Sequence, residues 1–139
     1  MDPRPTPLDL GVSPSDRIDL IVPMRAEFGA TLRTLAASVC ADLGFSVDEV
    51  DDVRLAVSEV FSMLVEASEE HGERGRIELS TQPGTLVATL CREEPRAGIE
   101  LDDLAAHILA AVTDGYEVTS NGITFVKHGT ERSDDRSGS

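Results

Sequence analysis

The stretch DDVRLAVSEVFSMLVEAS, residues 51–68, decides how the chain reads. An α-helix turns by about 100° per residue, so Val50, Val53, Val57, Val60, Phe61 and Leu64 fall on one stripe, which predicts a helix laid against a core. The opposite side carries Asp52, Leu55, Ala56, Glu59, Met63 and Glu66, a mixture of acids and apolar groups where a solvated helix face would be charged throughout. Glu59 and Met63 lie one turn apart on that side. Ser46 followed by Glu49 reads as a capping box that starts the helix, and Gly72 releases it after about Glu70.

Upstream, AEFGATLRTLAASVCADLG places Phe28, Leu32, Leu35, Val39 and Leu43 at helical spacing and stops at Gly44. Before it, RIDLIVP alternates Ile18, Leu20 and Val22 with Arg17 and Asp19, the pattern of a half-buried strand closed by Pro23. Downstream, GRIELSTQPGTLVATLCR holds two alternating runs joined at Gln82-Pro83-Gly84, hence a hairpin. A third helix is predicted from about Leu101 to Thr113, with Leu101, Leu104, Ile108 and Val112 buried. YEVTSNGITFVKH then forms a second hairpin around an Asn121-Gly122 turn.

The order strand, helix, helix, hairpin, helix, hairpin implies an α+β fold. Each helix has one apolar stripe and the strands alternate, so a two-layer sandwich is expected, its mixed, mostly antiparallel sheet covered on one face by three helices. The Pro-punctuated residues 1–15 read as a flexible arm, residues 16–129 as the folded domain and the polar residues 130–139 as a disordered tail.

The chain has 139 residues and a formal charge of −14, from 26 acids against 12 bases. Nucleic-acid phosphates would be repelled by such a charge, and a basic partner would be attracted. Asp48, Glu49, Asp51, Asp52, Glu59, Glu66, Glu69 and Glu70 lie on the quoted helix or its flanks, with only Arg54 opposing them. Cys40 and Cys91 each fall in an apolar pattern without a neighbouring Cys, so they read as small buried hydrophobes. His71, His107 and His128 lack ligand spacing, which argues against a metal site. The opening MDPRPTPLDLGVSPSD lacks the basic start and apolar run of a signal peptide, and no segment has the ~18 apolar residues of a membrane span. A cytoplasmic protein without membrane contact is expected.

No nucleophile stands beside a base, and neither G-x-x-x-x-G-K-[ST] nor G-x-G-x-x-G occurs. On the residues alone, the chain reads as a binding module.

The element order and the run DDVRLAVSEV nevertheless resemble the ATPase domain shared by histidine kinases, gyrase and the heat-shock chaperones. Within that superfamily the chain resembles the small anti-sigma factors with serine kinase activity, of the RsbW and SpoIIAB type. The resemblance covers about residues 17–128 and implies the histidine kinase-like ATPase fold.

Three motifs of that family can be carried over. Its acidic activator of the attacking group falls on Glu59, and the Asn that holds magnesium falls on Met63, whose thioether is too soft to replace an amide oxygen on a hard cation. Its adenine-binding Asp-x-Gly-x-Gly falls on CREEPRAG, with Glu93 or Glu94 at the Asp and Pro95, Arg96 and Ala97 where the glycines belong. Its phosphate-loop glycines fall on Asp103 and Ala105, beside Asp102, so that carboxylates meet the positive end of the last helix where an anion would sit.

What the resemblance implies is a former nucleotide face, and an anti-sigma factor that sequesters a sigma factor by direct binding in a partner-switching system. An antagonist protein would release it, a second copy would pair with it, and no cofactor is expected. The alternative is an active protein serine kinase with Glu59 as base, using Mg-ATP to phosphorylate the antagonist. An unrelated α+β interaction domain would share only the element order.

Overall fold

The computed structural model describes residues 16–68, 72–94 and 99–130. Its elements are β1 (Asp16–Pro23), a single 3-10 turn (Ala26–Phe28), α1 (Gly29–Asp42), α2 (Val47–Glu66), β2 (Arg74–Gln82), β3 (Thr85–Arg92), α3 (Asp103–Val112), β4 (Gly115–Val118) and β5 (Gly122–His128). The five strands lie in the order β1-β2-β3-β5-β4. The expected two-layer α+β arrangement is present, and every strand pairing is antiparallel.

Alternation along the strands builds the core. Ile77 and Leu79 of β2 lie opposite Leu90 and Ala88 of β3, which in turn face Ile123 and Phe125 of β5. These side chains are fully buried with Leu32 of α1, Val53, Val57, Val60 and Leu64 of α2, and Leu109 of α3. A buried Leu, Ile or Phe contributes about 1.5–3 kcal/mol relative to exposure, so the seam between α2 and the three central strands dominates stability. The helical stripe read from the sequence is buried except at Val50, which is half-buried; Ala56, expected on the second face, is also fully buried.

Local chemistry fixes the element ends. Ser46 and Glu49 form the expected capping box, with the Ser46 hydroxyl accepting from the Glu49 amide at 3.1 Å and the Glu49 carboxylate accepting from the Ser46 amide at 2.7 Å. The same carboxylate accepts from the amide and hydroxyl of Thr130, so the first turn of α2 also anchors the chain after β5. Burial alone would raise the Glu49 carboxyl, but its hydrogen bonds with Thr130 and Ser46 outweigh that and hold it down at about 2. Thr130 is thus fastened rather than the start of a loose tail; the remainder of that tail and the arm 1–15 lie outside the described residues. The loop between β2 and β3 is Pro83-Gly84, with Gly84 at φ +75°.

Four sequence expectations shift. α2 ends at Glu66, short of Glu70, where Ala67 and Ser68 turn back and the Ser68 hydroxyl donates to the Leu64 carbonyl. On α3 the buried residues are Ala105, Leu109 and Val112, while Leu104 is 70% exposed and Leu101 and Ile108 are half-buried. Asp102 caps the helix there, and small Ala105 rather than Leu104 turns inward in the first turn. The second hairpin turns at Ser120-Asn121, not Asn121-Gly122, because the Thr119 amide already donates to the Gly122 carbonyl at 2.8 Å. Gly122 belongs to β5, where a Cβ would lie 2.0 Å from the Leu90 carbonyl oxygen, so glycine is required by the neighbouring strand. Along β1, Val22 is buried and Leu20 half-buried, but Ile18 is 38% exposed, since β1 is an edge strand.

Candidate functional site

The positions that the resemblance assigns to a nucleotide divide between two regions. Glu59 and Met63 sit on α2, and both are half-buried; Met63 packs against the core. α3 packs against α2 and supplies Asp102, Asp103 and Ala105. Ile99 and Leu101, just ahead of α3, and Ile108 within it also pack against the core.

The amino end of α3 is occupied by its own chain. Asp102 is the N-cap, and its Oδ1 accepts from the Ala105 amide at 2.8 Å. Asp103 is exposed in the first turn and Ala105 is buried. Two carboxylates therefore meet the positive end of the helix dipole, each worth ~0.3–1 kcal/mol to the helix. One of the few amides free to greet an external anion there is already satisfied.

Glu93 is elsewhere. Its amide donates to the Arg74 carbonyl at 2.9 Å, extending the ladder by one residue and keeping Glu93 in phase with Cys91, on the sheet face turned away from the helices. Its carboxylate accepts from Arg76 at 2.9 Å and from Arg74 at 3.4 Å. The hydrogen bond to Glu93 and the charges of Glu78 and Glu93 raise the Arg76 guanidinium further above its ordinary value despite burial. Arg92, 4% exposed, takes the helix-facing phase with Leu86, Ala88 and Leu90. Glu94 is exposed, and Pro95, Arg96 and Ala97 lie outside the described residues.

A second polar cluster was not anticipated from the sequence. Lys127 of β5 points into the helical layer, where its Nζ donates to Asp52 of α2 at 3.0 Å and to the Val112 carbonyl at the carboxyl end of α3 at 3.0 Å. One cation thus joins both helices to the sheet and meets the negative end of α3. The signal was present in GITFVKH: Lys127 shares the phase of buried Ile123 and Phe125.

The thiols are quiet. Burial, with the charge of Glu49, pushes Cys40 up to about 12, and burial, with the charge of Glu78, pushes half-buried Cys91 up to about 11. Both stay neutral near pH 7, where a thiolate is the reactive form. Among the described residues no three His, Cys, Asp or Glu side chains group as a metal site, and no helix is long and apolar enough to cross a membrane.

Comparison with known proteins gives a partial likeness. No family model matches the chain. It is 32% identical over 51 residues to the serine-protein kinase RsbW of Bacillus thuringiensis (strain Al Hakam), and equally to those of Bacillus cereus (strain B4264) and Bacillus anthracis (strain A0248). The aligned part is 37% of this chain and 32% of each relative, so the chain spans about a third of the length of the curated relatives it matches. The likeness is thus to RsbW serine-protein kinases, over that part of the chain.

Proposed function

We propose that this protein is an anti-sigma regulatory factor, which holds a sigma factor by direct contact and yields it to an antagonist, acting by binding rather than by chemistry. The partial likeness to RsbW supports the class of partner. The choice of binding over phosphotransfer rests on the amino end of α3, where Asp102 takes the Ala105 amide and Asp103 adds a second negative charge. A triphosphate there meets two carboxylates in place of free donors. Met63 offers magnesium a half-buried thioether in contact with the core, a poor ligand for a cation that favours oxygen. The residues present do not suit Mg-ATP, and no step is assigned to it.

The second reading is a protein serine kinase that phosphorylates the antagonist. It is favoured by the half-exposed carboxylate of Glu59 on α2 and by the activity named in the RsbW relatives. Capturing partners on the tagged full chain from its native host, followed by mass spectrometry, tests the first reading: a sigma factor is expected, and its absence rejects it. Transfer of labelled phosphate from ATP to a captured antagonist would establish the second reading instead.

Self-association is part of the proposal. β1 is an edge strand with Ile18 and Ile21 38% and 45% exposed, and beside it lies a groove of about 570 Å³ lined by Leu20, Ala30, Thr31, Thr34, Leu35 and Ser38. A second copy covering both would hide apolar surface and an open strand edge. Nearby Val22 and Leu32 are buried in the core and take no part in this surface. Light scattering at tens of micromolar should give a dimer mass; a monomer rejects this part.

A further inference from the structure

Among the described residues six large apolar side chains are exposed, and they fall into two groups. Ile18, Ile21 and Val118 belong to the edge strands, whereas Val47, Leu55 and Leu104 belong to the outer faces of α2 and α3. Leu104 is 70% exposed and Leu55 42%, on two helices that pack side by side and are tied together through Lys127.

The charge around them is one-sided. α2 carries six acids against Arg54, and α3 carries Asp103 and neither Lys nor Arg. Glu49 is consumed by its cap, Asp52 by Lys127 and Asp51 by Arg54 at 3.7 Å. Among the described residues no base pairs with Asp48, Glu59, Glu66 or Asp103. On the opposite face of the molecule Arg17, Arg74 and Arg76 are interleaved with Asp19, Glu78 and Glu93 in ion pairs. Acids without a base partner therefore share α2 and α3 with the exposed leucines.

We propose that the outer face of α2 and α3 is the docking surface for a cationic amphipathic helix of a partner protein. This deepens, and rests on, the reading of the chain as a binding protein. The apolar stripe of the incoming helix seats on Leu55 and Leu104, ridges of adjacent helices, while its flanking Lys and Arg side chains face Asp48, Glu59, Glu66 and Asp103. The acids govern encounter, screened beyond ~8 Å at physiological salt, and the leucines govern residence. A purely electrostatic attraction would not discriminate between cations, so the leucines carry the specificity.

The test is titration of the full chain with a fluorescent Leu/Lys peptide whose leucines line one helix face, and with a scrambled peptide of equal composition. The wild type should bind the amphipathic peptide at least tenfold more tightly, and Leu55→Ser with Leu104→Ser should abolish that preference while circular dichroism is unchanged. If the double variant does not fold, each single variant is expected to lose part of the preference. Asp48→Asn, Glu59→Gln and Glu66→Gln together should slow association at least tenfold at low salt and alter dissociation less than twofold. Equal binding of the two peptides, or a preference that survives loss of the leucines, overturns the proposal. A sigma factor captured equally by wild type and double variant overturns this surface but not the anti-sigma reading; the expected peptide results without a captured sigma factor overturn that reading but not the surface.

Discussion

Arg76 donates to Glu93 at 2.9 Å on the sheet face turned away from the helices, so one of the two acids that the resemblance sets at an adenine-binding aspartate instead holds two arginines of β2. Both partners of the shorter contact keep some exposure, and such pairs contribute at most about 1 kcal/mol. Glu93→Gln should therefore lower stability by less than about 1 kcal/mol in urea denaturation and leave binding of a captured partner unchanged. A variant with intact stability that no longer binds would place Glu93 in the functional surface.

Lys127 and Asp52 should respond unequally to substitution. Removing Asp52 leaves the Lys127 ammonium, with a side chain only 11% exposed, short of its counter-ion, whereas removing Lys127 leaves Asp52, 38% exposed, able to regain water. Asp52→Ala is expected to cost about 2–3 kcal/mol, and Lys127→Met less, since breaking a buried pair on one side is worse than removing the buried charge. Equal costs by chemical denaturation would show that the charge is better solvated than its burial implies.

Glu49 gives a pH signature. Its folded carboxyl is held at about 2 against an ordinary 4.5, so the stability it contributes is complete above pH 4.5 and is lost as the pH falls towards 2. Glu49→Gln should lower the melting temperature at neutral pH, and the gap to wild type should narrow steadily between pH 4.5 and 2. A gap that is constant over that range would mean that shape, and not charge, makes the cap.

Met63→Asn alone should not create a kinase. It supplies one oxygen ligand but leaves Asp102 and Asp103 at the amino end of α3, and phosphoryl transfer depends on positioning and charge stabilisation of the phosphates. The variant incubated with a captured antagonist and labelled ATP should transfer no phosphate; stoichiometric labelling of a serine would show that the α3 end is no obstacle.

Element order and the α2 stripe were legible because both follow from local periodicity. The errors arose where a distant residue made the choice. On α3 the sets Leu101, Leu104, Ile108, Val112 and Ala105, Leu109, Val112 both fit a helical period, and only packing selects the second. Gly122 reads as a turn glycine in sequence, whereas the Leu90 carbonyl, on another strand, is what excludes a side chain. Glu93 turns outward because β3 pairing continues one residue beyond Arg92, a matter of strand phase that composition does not reveal. Asp52 reads as a surface acid until the fold brings Lys127 to it.

Binding without nucleotide chemistry is put to the test by titrating the purified full chain with a fluorescent ATP analogue in the presence and absence of magnesium. With Met63 where the resemblance sets the magnesium ligand and Asp102 holding the Ala105 amide, weak, unsaturated binding that magnesium does not strengthen is predicted. Saturable, magnesium-dependent binding in the micromolar range would mean that the protein keeps a functional nucleotide site.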